Sequence, residues 1–106
     1  MDVTITNNAD KFRDALPKQI EQALIAIGMT AETYAKRDCP VDTGRLRNSI
    51  THAYDDDSAY IGTNVEYGKY VELGTTRMKK RPFLAPAATQ HSEEYKNLAK
   101  QALKGE

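Results

Sequence analysis

The residues able to do covalent chemistry in this 106-residue chain are few: one cysteine, Cys39, and two histidines, His52 and His91. A thiol and an imidazole can serve as nucleophile and base where they meet, yet no surrounding motif brings these together. Cys39 stands beside Pro40 at a helix end, the setting of a small buried residue. His91 falls on the apolar stripe of a helix and reads as a core or boundary residue. Zinc needs three or four convergent ligands at recognisable spacing, which one cysteine and two scattered histidines do not supply. Asp42-Thr43-Gly44 matches the aspartic-protease tripeptide in letters only. That chemistry needs two carboxylates sharing a proton, hence a second copy and a much larger β fold. Asp55-Asp56-Asp57 lacks the alternating ligands and distal glutamate of a calcium loop, so it reads as a solvated turn. Gly62, Gly68 and Gly74 fit neither the dinucleotide nor the Walker spacing. We read no catalytic residue, no cofactor and no metal ligand.

Electrostatic contact is the chemistry that remains. Arg77, Lys79, Lys80 and Arg81 place four cations within five residues. They are either a solvated loop or a contact for phosphates or an acidic partner. No aromatic residue interleaves with them, so base stacking is not indicated. Lys+Arg and Asp+Glu are both 15, and this balance argues against a dedicated polyanion-binding domain.

Length and composition set the frame. A chain of this size reads as one domain spanning 1–106. It buries about 60–70% of its surface on folding, enough for a modest core without disulfides or metal. With 40% hydrophobic and 28% charged residues, it has ordinary globular composition. A single cysteine allows no internal disulfide and suits a reducing compartment. The first residues are too short and polar for a secretory h-region, and no apolar run reaches the roughly 18 residues that span a bilayer. The expectation is a soluble protein made in a cytoplasm, with no membrane partner.

The elements that must hold the basic stretch follow from periodicity. Val3 and Ile5 alternate with polar neighbours, which predicts a strand over 2–6. Phe12, Leu16, Ile20, Leu24, Ile27, Ala31 and Tyr34 form one helical stripe. A helix over 10–37, capped by Asp10, would be roughly 42 Å long. Pro17 interrupts it: either the helix kinks there or it starts with Pro17 near its first position. The stripe stays in phase across Pro17, which favours one kinked helix. Pro40 ends it. Asp42 or Thr43 can cap a single helical turn, and a β-hairpin follows over 48–65. Ile50, His52 and Tyr54 share one face of it, and Ala59, Ile61, Thr63 and Val65 one side of its second arm. A short helix over 66–73 precedes an exposed loop over 74–81. A C-terminal helix over 82–104, started by Pro82 or Pro86, carries Leu84, Ala88, His91, Tyr95, Leu98 and Ala102 as its stripe. The fold class is α+β: a two-layer domain with the long N-terminal and C-terminal helices packed on a small antiparallel sheet.

Three segments in order carry a resemblance. They are Pro40 to Ile50 (PVDTGRLRNSI), Ile61 to Thr75 (IGTNVEYGKYVELGT) and Arg81 to Ala87 (RPFLAPA). Together they resemble the small minor structural proteins of tailed bacteriophages and prophages, known as tail-component, tail-completion or head–tail connector proteins of the neck. Gly68 departs from that family's pattern, where alanine more often follows the tyrosine. The resemblance implies a non-enzymatic virion subunit that forms an oligomeric ring between head-closure proteins and the tail. It implies partners in its own copies and in the adjacent head-closure and tail proteins, with possible contact to packaged DNA, and assembly in the host cytoplasm.

Within that expectation the contact loop is Thr75, Thr76, Arg77, Met78, Lys79, Lys80 and Arg81, mobile until it meets a neighbour or the DNA channel. Its fold anchors are Tyr67, Tyr70, Gly74, Pro82 and Phe83. Tyr67, Tyr70, Val71 and Leu73 are expected to pack on the long helix, and Gly74 to cap the turn. A small nucleic-acid-binding protein using residues 77–81, and an enzyme centred on Cys39 or the histidines, are the rival readings.

Overall fold

Residue chemistry near Pro17 decides where the main helix begins. In a computed structural model, which describes residues 2–7, 15–41, 44–56 and 58–104, helix α1 runs Pro17–Asp38. Leu16 ahead of it is extended, at φ −71° and ψ 145°, as expected for a residue preceding proline. Pro17 therefore occupies the first helical position, where its missing N–H costs nothing. This corrects the single kinked helix over 10–37. Leu16 of the expected stripe is 65% exposed, and Phe12 falls outside the described residues. The Gln19 side chain reaches back to accept from the Leu16 N–H at 3.1 Å. The caps expected from Asp10, Asp42 and Thr43 fall outside the described residues.

Strand β1 (Asp2–Asn7) joins the hairpin of β2 (Thr51–Tyr54) and β3 (Ser58–Gly62) to give an antiparallel sheet ordered β1-β3-β2. The β1–β3 register shifts by a bulge between Thr4 and Thr6. In the hairpin His52 lies opposite Ile61 and Tyr54 opposite Ala59. Being central, β3 is buried along almost its whole length, with Tyr60 half-buried. Short helix α2 (Arg45–Ser49) leads into the hairpin. The fold class is α+β, with α1 packed on the sheet.

Side chains fasten α1 to β2 along their length. The Tyr54 hydroxyl donates to Glu21 at 2.9 Å near the start of α1. His52 Nδ1 meets Glu32 Oε1 at 2.9 Å further along, and Lys36 pairs with the same carboxylate at 3.1 Å. Strand and helix thus run in opposite directions.

After α3 (Gly68–Leu73) and a loop come α4 (Leu84–Thr89) and α5 (Ser92–Leu103). The single helix expected over 82–104 is thus two. His91 leaves helical geometry at φ −121° and ψ 31° and stacks its ring 3.6 Å from that of Tyr34 on α1. The Tyr95 hydroxyl folds back to donate to the Ala87 carbonyl, tying the two pieces together. The predicted apolar stripe nevertheless faces inward on both, because Leu84, Ala88 and Tyr95 are buried and Leu98 and Ala102 half-buried. Phe83, Leu24, Ile27, Ile50, Ile61 and Leu84 are the largest fully buried side chains. They form the core where α1, α4 and the sheet meet.

Candidate functional site

Helix α3 ends because Gly74 takes φ 78°, a left-handed value that a side chain disfavours, and its N–H returns to the Tyr70 carbonyl at 2.7 Å. Thr75 then folds the tip of the loop. Its hydroxyl oxygen accepts from the Arg77 and Met78 N–H groups at 3.2 and 3.0 Å. Its own N–H donates to the Met78 carbonyl at 2.8 Å. The returning chain is pinned where the Arg81 N–H meets the Val71 carbonyl at 2.8 Å. Residues 75–82 are all exposed.

Glu72, which the sequence reading passed over, closes the base. It is only 4% exposed. One carboxylate oxygen accepts from the Phe83 and Leu84 N–H groups at 2.9 and 2.8 Å, and the other from Ala85 at 3.0 Å. A buried charge is tolerable only when its hydrogen bonds are satisfied, and charge-assisted bonds to backbone N–H groups are strong ones. Glu72 also supplies the cap that α4 lacks locally. A signal was present: Arg81-Pro82-Phe83-Leu84 opens a helix without any Ser, Thr, Asp or Asn to cap it. Such a start needs an acceptor from elsewhere.

The expected anchors are distributed unevenly. Phe83 is fully buried. Tyr67 is half-buried and faces the Arg45 guanidinium, 5.5 Å from its ring centre. Tyr70 and Leu73 are not packed on α1; they are 48% and 67% exposed. The six-residue α3 rests on Leu46 and Thr63 through Gly68, so its far side faces solvent. Pro82 is exposed and lines a hollow with Leu73, Lys80, Ala85 and Pro86. Met78, 39% exposed, adds to an apolar fringe around the cations. Among the described residues, no carboxylate forms an ion pair with Arg77, Lys79, Lys80 or Arg81.

The groups weighed for catalysis are separated. Cys39 is buried, and its thiol lies 3.5 Å from the Pro40 carbonyl. Burial pushes its pKa up, against smaller opposing effects from Arg47 and Arg81. His52 is engaged by Glu32 and His91 by Tyr34, so no described hydrogen bond joins either histidine to Cys39. No group of three or more His, Cys, Asp or Glu among the described residues could hold a metal ion. No described helix is long and apolar enough to cross a membrane.

No curated protein and no solved structure matches the chain. A family model described as "Bacteriophage HK97-gp10, putative tail-component" matches residues 4–74. The match runs from β1 through α3 and stops at Gly74, where the basic loop begins. Because it covers well over half of the chain, the protein belongs to the HK97-gp10-like family of phage tail-component structural proteins.

Proposed function

We propose that the protein is a non-enzymatic subunit of the phage head–tail junction, forming an oligomeric ring between head-closure proteins and the tail. The observation that carries this reading is the clamped loop. A small domain projects cations that no described carboxylate pairs, with exposed apolar side chains, on a hairpin of chain whose base is fixed by Glu72. Fixing the ends of a segment lowers the entropy lost when its tip is bound, which suits a contact made repeatedly between identical units. A ring requires such a heterologous contact, in which one surface of a subunit meets a different surface of the next. Thr75 to Arg81 is that contact segment, and the backbone of its tip becomes more protected from amide exchange on assembly. The partners are further copies, the adjacent head-closure and tail proteins, and packaged DNA where the loop faces the channel. Assembly takes place in the host cytoplasm.

Electron microscopy of particles made without the protein tests the role. Filled heads lacking tails are expected; normal virions would refute it. A second reading is favoured by the absence of a carboxylate partner for the loop cations among the described residues. In that reading the free monomer binds DNA through residues 77–81. A salt titration with a slope of about four ions would support it, whereas the ring subunit binds DNA weakly before assembly.

A further inference from the structure

Among the described residues, the two ends of the molecule differ in charge. Helix α1 has 22 residues and is about 33 Å long, in a domain whose principal extents are 49 × 22 × 20 Å. Beyond its C-terminal end lies a hollow lined by Pro40, Val41 and Arg81, the last at the base of the basic loop. At its N-terminal end, Tyr54 bonded to Glu21 brings up the hairpin turn. There Asp55 is fixed by the Ser58 N–H at 2.9 Å and by the Tyr60 hydroxyl, and Asp56 is exposed.

Between hairpin turn and helix lies an open groove of about 280 Å³, lined by Pro17, Ile20, Glu21, Leu24, Tyr54, Asp55 and Asp56. Its wall is apolar and its charged side chains are all acidic. Among the described residues, the cations of the neighbouring elements stand elsewhere. Lys18, at 100° per residue, falls on the outer face of α1 with exposed Gln22 and Met29. Lys104 follows α5, which meets α1 on another flank, where Gln19 bonds the Leu103 carbonyl at 3.3 Å.

We propose that this groove receives the basic loop of a second copy of the chain. Met78 enters between Tyr54 and Ile20, and Arg77, Lys79 and Lys80 face Glu21, Asp55 and Asp56. The loop carries an apolar residue flanked by cations, and the groove an apolar floor flanked by carboxylates, so the surfaces complement each other in charge and in kind. They lie at opposite ends of one subunit, so the contact is head-to-tail and can repeat. This inference rests on the ring reading above and names the surface that reading leaves open.

Reciprocal charge reversal tests it in the phage or prophage that encodes the protein, with the gene deleted and variants supplied in trans. One variant carries Glu21→Lys and Asp56→Lys; the other carries Arg77→Glu, Lys79→Glu and Lys80→Glu. All five positions are exposed, and thermal melts of both purified variants verify the fold. Each alone is expected to reduce tailed-particle yield at least tenfold. Co-expression of the two restores it, because each reversed end meets a complementary end on the other variant. A single chain carrying all five changes is restored as well. Loss with the loop variant but none with the groove variant, or loss without reciprocal rescue, overturns the contact while leaving the ring role standing. Normal tailed particles from the deletion itself remove both.

Discussion

At the scale of single residues, Glu72 does most to shape the presented surface. Its carboxylate is shared by three backbone N–H groups on the far side of the loop. Replacing it by alanine strands two of those donors, at Phe83 and Leu84, in a buried setting, where each unmade bond costs about 1–3 kcal/mol. We expect Glu72→Ala to lower stability by about 2–4 kcal/mol, read from denaturant midpoints, and to speed amide exchange at Phe83, Leu84 and Ala85. Glu72→Gln keeps one acceptor oxygen and should lose less. A melt unchanged by the alanine variant would contradict the clamp. Phe83 is the apolar counterpart: Phe83→Ala removes a fully buried ring and should cost about 3–5 kcal/mol.

A pH effect belongs to the same scale. Burial alone would raise the Glu32 carboxyl, but hydrogen bonds from His52 and Lys36 outweigh it and hold the pKa below its ordinary value. A carboxylate depressed in the folded state adds stability above its unfolded pKa and loses it as pH falls through the folded value. Glu32→Gln should therefore lower stability near neutrality, by less than about 1 kcal/mol for so accessible a cluster. Variant and parent should converge below the ordinary carboxyl range. A constant difference across that range would show that the loss is one of packing.

Among the elements, α3 shows how a sequence departure finds its cause in packing. Alanine would suit a helix better than Gly68 by propensity. A Cβ there would sit 2.8 Å from Thr63 Cγ2 and 3.2 Å from Leu46 Cδ1. Thr63 has little freedom to turn aside, since its hydroxyl contacts Ser49 at 2.5 Å and accepts from the Val65 N–H at 3.1 Å. Gly68→Ala is expected to destabilise by about 1–3 kcal/mol, contrary to its helix propensity. A gain in thermal stability would show that α3 can lift from this seat.

Legibility in the sequence also divides at the level of elements. Stripes and alternation gave the strands, the helices and their inward faces, because burial imposes a period on residue type. The break at His91 carried no such mark, since it follows from a ring stacking on Tyr34 fifty-seven positions away in sequence. Glu72 was missed for a related reason. An acidic residue between Val71 and Leu73 looks like a surface position until the distant uncapped helix start is set beside it. The exposed side of α3 was misjudged because apolar content alone does not say which residues a six-residue helix can bury.

For the whole molecule, the core and the exposed basic loop occupy different parts of the chain. The family match ends at Gly74, while the core draws on β1, α1, β3 and the helices beyond the loop. The tip of the loop contributes no buried residue. Replacing residues 76–80 by two glycines should therefore shift stability by less than about 1 kcal/mol, the scale of a change in closure entropy, yet abolish tailed particles. Loss of folding on that change would place the loop inside the cooperative unit.

The clamp has a mechanical side. A pull on the loop tip arrives at Glu72 and Val71 on one arm and at residues 81–85 on the other. The three carboxylate bonds and the Arg81–Val71 bond cross-brace those arms. Load is spread into the seat of Phe83, and no single bond at the mouth has to peel first. The stiffness of the loop's base thus rests on one carboxylate and one backbone bond.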